Sequence, residues 1–198
     1  MREHVSVGLL IGDDKLRERI HSVVRAAGIT AYFVSNPNDR GSWRLLLTDR
    51  DHIEASPSYR TIRVSTKLRN RELLRRIDLL RRAPREVGNM VVGIDPGKRI
   101  GTAAFVGSEL IDGVATNSPG EVLTWLGELM SVLEPQQVRI RIGLGQRWRE
   151  IHETVLSSLS GEVTVELVDE RSTTKTYPHA EKRFGKDIRA AIQIALKL

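Results

Sequence analysis

The chain has 198 residues, 40% of them hydrophobic, enough to bury one large core or two small ones. With no cysteine there can be no disulfide and no thiolate zinc site, and no apolar run approaches the roughly eighteen residues of a spanning helix. The net charge of +6 is carried by 24 arginines against 7 lysines, which favours a polyanionic partner because the planar guanidinium fork matches phosphate. The opening MREHVSVGLLIGDD turns acidic too early for a secretion leader, so a cytoplasmic location and no membrane partner are expected.

In chain order, VSVGLLI (5–11) reads as a buried strand. KLRERIHSVVRAAG follows as a helix, with Leu16, Ile20, Val23, Val24 and Ala27 at three- and four-residue spacing and Gly28 as its stop. ITAYFVS (29–35), WRLLLTD (43–49) and YRTIRVS (59–65) are further strands, and NRELLRRIDLLRR (70–82) is a second helix. Strands alternating with helices predict a small parallel α/β domain over residues 1–86.

Between Lys67 and Arg85 stand eight basic residues and only two acids, Glu72 and Asp78. Such a run is either a solvated helix face or a nucleic-acid contact surface, with Arg71, Arg75 and Arg82 as candidates. Ala83-Pro84 ends the helix, and a second domain is expected over 87–198.

From Met90 the pattern changes. MVVGID, IGTAAFVG and ELIDGVAT are separated by turns too short for a crossover helix, so they predict three antiparallel strands. Then follow the helix EVLTWLGELMSVL, the strand VRIRIGLG, a helix from about Gln146 to Leu159, the strand VTVELVDE and a last helix from about Glu181 to Leu198. The two later strands are expected to be parallel, in a mixed sheet flanked by helices. Trp125 and Trp148 lie on helical stripes and are expected in the core, with His152 packing one turn from Trp148.

The acids of this half fall at telling places. Asp95 ends its first strand, and Asp169 and Glu170 end its fifth. At about 100° per residue, Asp187 shares a helix face with Ala191, Ile194 and Leu198, so it should look toward the sheet. Its role is either to meet backbone N–H groups at the helix start or pair with a nearby arginine, or to join Asp95 and Glu170 around a cation. Oxygen-only ligands suit Mg²⁺ or Mn²⁺, and two such ions could bracket a phosphodiester. Asp95, Glu170 and Asp187 are therefore the candidate metal-binding and catalytic residues.

GIDPGKRIGTA, RIRIGLG, LVDERSTT and DIRAAIQIAL, in that order, resemble the RuvC/YqgF branch (Holliday-junction-resolvase-like) of the ribonuclease-H-like superfamily. The likeness covers most of residues 90–198. It implies a nuclease fold with a divalent-metal site that hydrolyses phosphodiesters in branched or structured DNA, or RNA. Asp95 matches the first-strand ligand, Glu170 the middle acid and Asp187 the acid of the last helix. Lys98 and Arg99 would contact phosphate, as would Lys175, while Arg171, Thr173 and Thr174 would orient the acid or touch the backbone. Asp169 and His179 are auxiliary candidates. The fourth strand ends Gly143-Leu144-Gly145, without the glutamate of RuvC, so the YqgF set is the nearer match.

The first domain more faintly resembles an abbreviated response-regulator receiver. Asp13 and Asp14 match its acidic pair, Asp49 its phosphoacceptor and Lys67 its lysine; Leu68 stands where that family has proline. A docking or substrate-orienting module is expected rather than phosphorylation. Two functions follow for the whole chain: a Mg²⁺- or Mn²⁺-dependent endonuclease, which a symmetric junction would favour as a homodimer, or a non-catalytic nucleic-acid-binding or scaffolding protein that keeps the fold.

Overall fold

The structure, a computed structural model, describes residues 6–37, 43–53, 59–159, 163–169 and 184–197. The chain divides into two compact units, Met1–Arg81 and Arg82–Leu198.

The first unit runs β1 (Ser6–Leu10), α1 (Asp14–Ala26), β2 (Thr30–Phe33), β3 (Leu45–Thr48), β4 (Arg60–Arg63) and α2 (Asn70–Arg82). Its four strands are parallel in the order β2-β1-β3-β4. The two central strands, SVGLL and LLLT, are almost wholly buried, as unbroken apolar runs in parallel sheets are. The edge strand β2 is largely exposed, with Phe33 63% accessible against the ring of His21. Helix α1 buries Leu16, Ile20 and Val24 along one stripe. The Asp13 carboxylate caps its start by accepting from the Leu16 amide at 2.9 Å, and Gly28 ends it at φ +74°, a conformation that suits glycine.

The second unit runs β5 (Asn89–Pro96), β6 (Ile100–Val106), β7 (Glu109–Thr116), α3 (Pro119–Leu133), β8 (Gln137–Gly143), α4 (Trp148–Ser158), β9 (Val163–Val168) and α5 (Lys186–Ala195). Its sheet is mixed, in the order β7-β6-β5-β8-β9. The β5–β6 and β6–β7 pairs are antiparallel, and β5–β8 and β8–β9 parallel. At the start of α3 the Ser118 hydroxyl accepts from the Glu121 amide while Glu121 accepts from the Asn117 amide, with Pro119 in the first turn. Trp125 is buried and its indole N–H donates to Asp112 at 2.7 Å. Trp148 is only half-buried, contrary to expectation. It is the first residue of α4, and its ring carries the Arg149 guanidinium 4.9 Å from the centroid, with the His152 edge beside it.

Helix α5 positions the candidate site. It starts at Lys186, later than the pattern suggested: Phe184 and Gly185 are not helical, and Gly185 takes the cap position. The helix lies on the sheet face that carries Val91, Gly93 and Asp95 of β5, because side chains alternate along a strand. Its seat is a floor of small residues. Gly93, Ala103 and Gly113 stand side by side across β5, β6 and β7, and Gly101 sits in the next row opposite Asp95. A Cβ on Gly93 would run into the Ala191 carbonyl and lie 2.6 Å from the Ala195 nitrogen; one on Gly113 would lie 2.9 Å from Ile188. One on Gly101 would fall on the carbonyl of Asp187. Glycine inside these strands thus lets helix backbone touch sheet backbone. Ala191, Ile192 and Ala195 close the core with Ala103 and Phe105.

At its other end α5 is tied to β8. Arg141, the register partner of Gly93, donates to the carbonyls of Ala195, at 2.8 Å, and of Lys197, while its Nε bonds Glu166 of β9 at 3.0 Å. A guanidinium there meets the negative end of the helix dipole. Lys197 in turn donates to the Asp169 carbonyl beyond β9. The helix therefore crosses the sheet obliquely, from β7 and β6 at its start to β8 at its end. Among the described residues no helix is long and apolar enough to cross a membrane.

Candidate active site

The site follows from that docking. Asp95 ends β5 on the helix-facing side and is half-buried, both carboxylate oxygens lying 3.9 Å from where a Gly97 Cβ would stand. Its register partner on β6 is Gly101, about 5 Å away as neighbouring strands are spaced. The Asp187 backbone rests directly on that glycine. Two carboxylates distant in sequence are thereby brought to one end of the sheet. Asp187 is 31% exposed and occupies the first turn of α5, where the helix dipole favours a negative charge. Of the roles expected for Asp187, pairing with a nearby arginine is the one seen, with Arg99.

The charge beside them is supplied by the β5–β6 turn. Arg99 Nε stands 3.9 Å from Asp187 Oδ2, and its Nη2 donates to the Ala115 carbonyl of β7 at 3.4 Å. Arg99 is 59% exposed and Lys98 is exposed beside it. Arg147, at the start of α4, reaches the same sheet end: its amide donates to the Pro96 carbonyl and its guanidinium to the Asn117 carbonyl. The hydrogen bond that Arg147 donates to Glu150 raises the Arg147 pKa and lowers that of Glu150. This arginine lies outside the sequence expectation, since its sheet-end position depends on how α4 packs.

The carboxylate oxygens of Asp95 and Asp187 are donors of the kind a hard divalent cation takes. Asp95 and Asp187 would hold it. Among the described residues there is no group of three or more acids or histidines placed for a metal. Glu170, Arg171, Thr173, Thr174, Lys175 and His179 all lie outside the described residues. Asp169 is described: it is exposed, follows β9, and its carbonyl accepts from Lys197.

Two ion pairs lie within the basic run. Arg76 bonds Glu72 at 2.7 Å and Arg81 bonds Asp78 at 2.9 Å, so the two acids of the run neutralise two of its cations. Arg71 is exposed, Arg75 half-buried, and Arg82 is exposed with its Nη1 donating to the Ile111 carbonyl at 3.4 Å.

The receiver-like acids of the first unit have structural work. Asp13 caps α1 and Asp14 pairs with Arg17. The Asp49 carboxylate, one residue past β3, accepts from the Gly12 amide at 3.1 and 3.0 Å and the Asp13 amide at 3.1 Å. Burial pushes its pKa up, but hydrogen bonds from the Asp13, Gly12 and Asp49 amides, with the Arg50 charge, outweigh that and hold it below the ordinary value. Lys67 is exposed in the turn before α2.

The signal missed in the sequence was the glycine seat. Gly93, Gly101 and Gly113 interrupt otherwise apolar strands, and such interruptions mark close backbone approach. No protein-family model matches the chain, and no curated protein does.

Proposed function

We propose that the chain is a Mg²⁺- or Mn²⁺-dependent endonuclease acting on branched or structured nucleic acid, with a Holliday-junction-resolvase-like second unit of the ribonuclease-H-like kind. The observation that carries this reading is that the Asp187 backbone rests on Gly101, the register partner of Asp95. The mixed sheet of three antiparallel strands followed by two parallel ones supports this reading.

In this reading Asp95 and Asp187 hold the ion, with Glu170 as the third acid by resemblance. The bound ion supplies Lewis-acid charge at the scissile phosphate and lowers the pKa of attacking water. The protein's part is to hold the backbone. Lys98 and Arg99 extend from the turn beside the acids, Arg171, Thr173, Thr174 and Lys175 follow the third acid in sequence, and Arg71, Arg75 and Arg82 contribute salt-sensitive phosphate contacts. DNA is the expected partner, in a cytoplasmic setting, and a two-fold junction would engage two copies.

One observation favours a second reading, a nucleic-acid-binding protein without catalysis: Arg99 already sets a positive charge against Asp187. Calorimetric titration of Mn²⁺ into the wild type and Asp95→Asn, with nicking assays on four-way-junction DNA, separates the two. The endonuclease reading expects Mn²⁺ binding that Asp95→Asn abolishes, and Mn²⁺-dependent nicking by the wild type. DNA binding without cleavage under any divalent ion would leave the binding protein.

A further inference from the structure

We infer that Arg99 is the displaceable counter-ion of Asp187: it neutralises that carboxylate while the acid pair holds no metal, and the arriving cation releases it toward substrate phosphate. The inference rests on the metal-site reading above and goes beyond it by coupling two binding events through one side chain.

The geometry of the pair points this way. At 3.9 Å, Arg99 Nε lies beyond hydrogen-bonding distance of Asp187 Oδ2, so the contact is one of charge and not of a directed bond. Its other contact, from Nη2 to the Ala115 carbonyl, is long at 3.4 Å. With 59% of its side chain exposed, Arg99 is only lightly held. Arg141, by contrast, is 12% exposed and bonds Glu166 and the carbonyls of Ala195 and Lys197 at and just past the end of α5, the pattern of an arginine built in for structure. The Asp187 backbone rests on Gly101, so the carboxylate's attachment point is fixed and the arginine is the mobile partner.

A metal and a guanidinium cannot both neutralise one carboxylate at full strength. Removing the guanidinium should therefore strengthen metal binding, and metal should strengthen phosphate binding only while the guanidinium is there to be released. Lys98 provides the control, because replacing it removes the same unit charge one residue away.

The test is Mn²⁺ affinity, read from the electron paramagnetic resonance signal of free Mn²⁺ at physiological ionic strength, for the full-length wild type, Arg99→Gln and Lys98→Gln. Arg99→Gln should bind Mn²⁺ about two- to fivefold tighter, the range of an exposed ion pair, and Lys98→Gln should change it less. Adding Mn²⁺ should raise affinity for a short DNA duplex in the wild type more than in Arg99→Gln. Equal Mn²⁺ affinity in wild type and Arg99→Gln, or equal tightening in Lys98→Gln, overturns the counter-ion role and leaves the metal site standing. Absence of Mn²⁺ binding in all three proteins overturns the role and the metal site together.

Discussion

Each unit carries an aspartate at a strand end beside the start of a helix, and the two helix starts differ. Asp49 accepts from the Gly12 and Asp13 amides just before α1, so the entry to that helix is held by a neighbouring strand. Asp95 faces the start of α5, whose first turn carries an acid of its own, Asp187. A carboxylate that meets amides is a clasp. The acid in the first turn of α5 has a cation beside it instead, Arg99. The same residue type at the same kind of strand end thus serves stability in one unit and, in our reading, chemistry in the other.

The strongest way to break this contrast is to lift α5. Gly101→Ala places a methyl group on the Asp187 carbonyl, and Gly93→Ala does the same at Ala191. Each should cost more than about 3 kcal/mol in denaturant unfolding of the second unit, because backbone cannot yield as a side chain does. The corresponding change beside the other aspartate, Gly12→Ala, meets only Asp49 Oδ2 at 3.7 Å and should stay within about 0.5 kcal/mol. Equal costs at Gly101 and Gly12 would show that the helix does not rest on the sheet.

Arg141→Leu is next in size. It leaves Glu166 with the more exposed Arg139 and removes the donor to the last helix carbonyls, for an expected loss of about 2 kcal/mol by thermal unfolding. The same substitution should also loosen Mn²⁺ binding, since the helix that carries Asp187 is held at that end.

Asp49→Asn sharpens the comparison at the smaller end, at about 1 kcal/mol, the scale of a lost helix cap. Its sign with pH is determined by the lowered pKa. A carboxyl held below its ordinary 3.8 stabilises the fold fully above that value and loses the contribution as pH falls through the folded-state value. The gap between wild type and Asp49→Asn should therefore be full at neutral pH and close in acid. A gap that is unchanged across that window would rule out the charged clasp.

Much of the architecture was legible residue by residue. The strands 5–11, 29–35, 43–49 and 59–65 all contain observed strands, and the short turns at Pro96-Gly97 and Gly107-Ser108 do join antiparallel pairs. Those features depend on local pattern and turn length, which a linear chain displays directly. The inward face of Asp187 was legible too, since helical periodicity relates it to Ala191 and Ile194, both buried. The helix start was not, because Phe184 and Gly185 continue the apolar pattern without continuing the helix. Trp148 misled for a similar reason: periodicity gives the stripe a residue lies on but not whether a neighbouring element covers it.

By itself the sequence determined the element order, the two kinds of sheet and the acids worth watching, since each of these is written in spacings of a few residues. Only the tertiary structure decided that Asp187 lands on the strand position opposite Asp95, that Arg99 reaches it, and that Asp49 is consumed by a helix start. Those outcomes depend on how closely two backbones approach, and the absent side chains of Gly93, Gly101 and Gly113 set that distance only once the strands have paired in register.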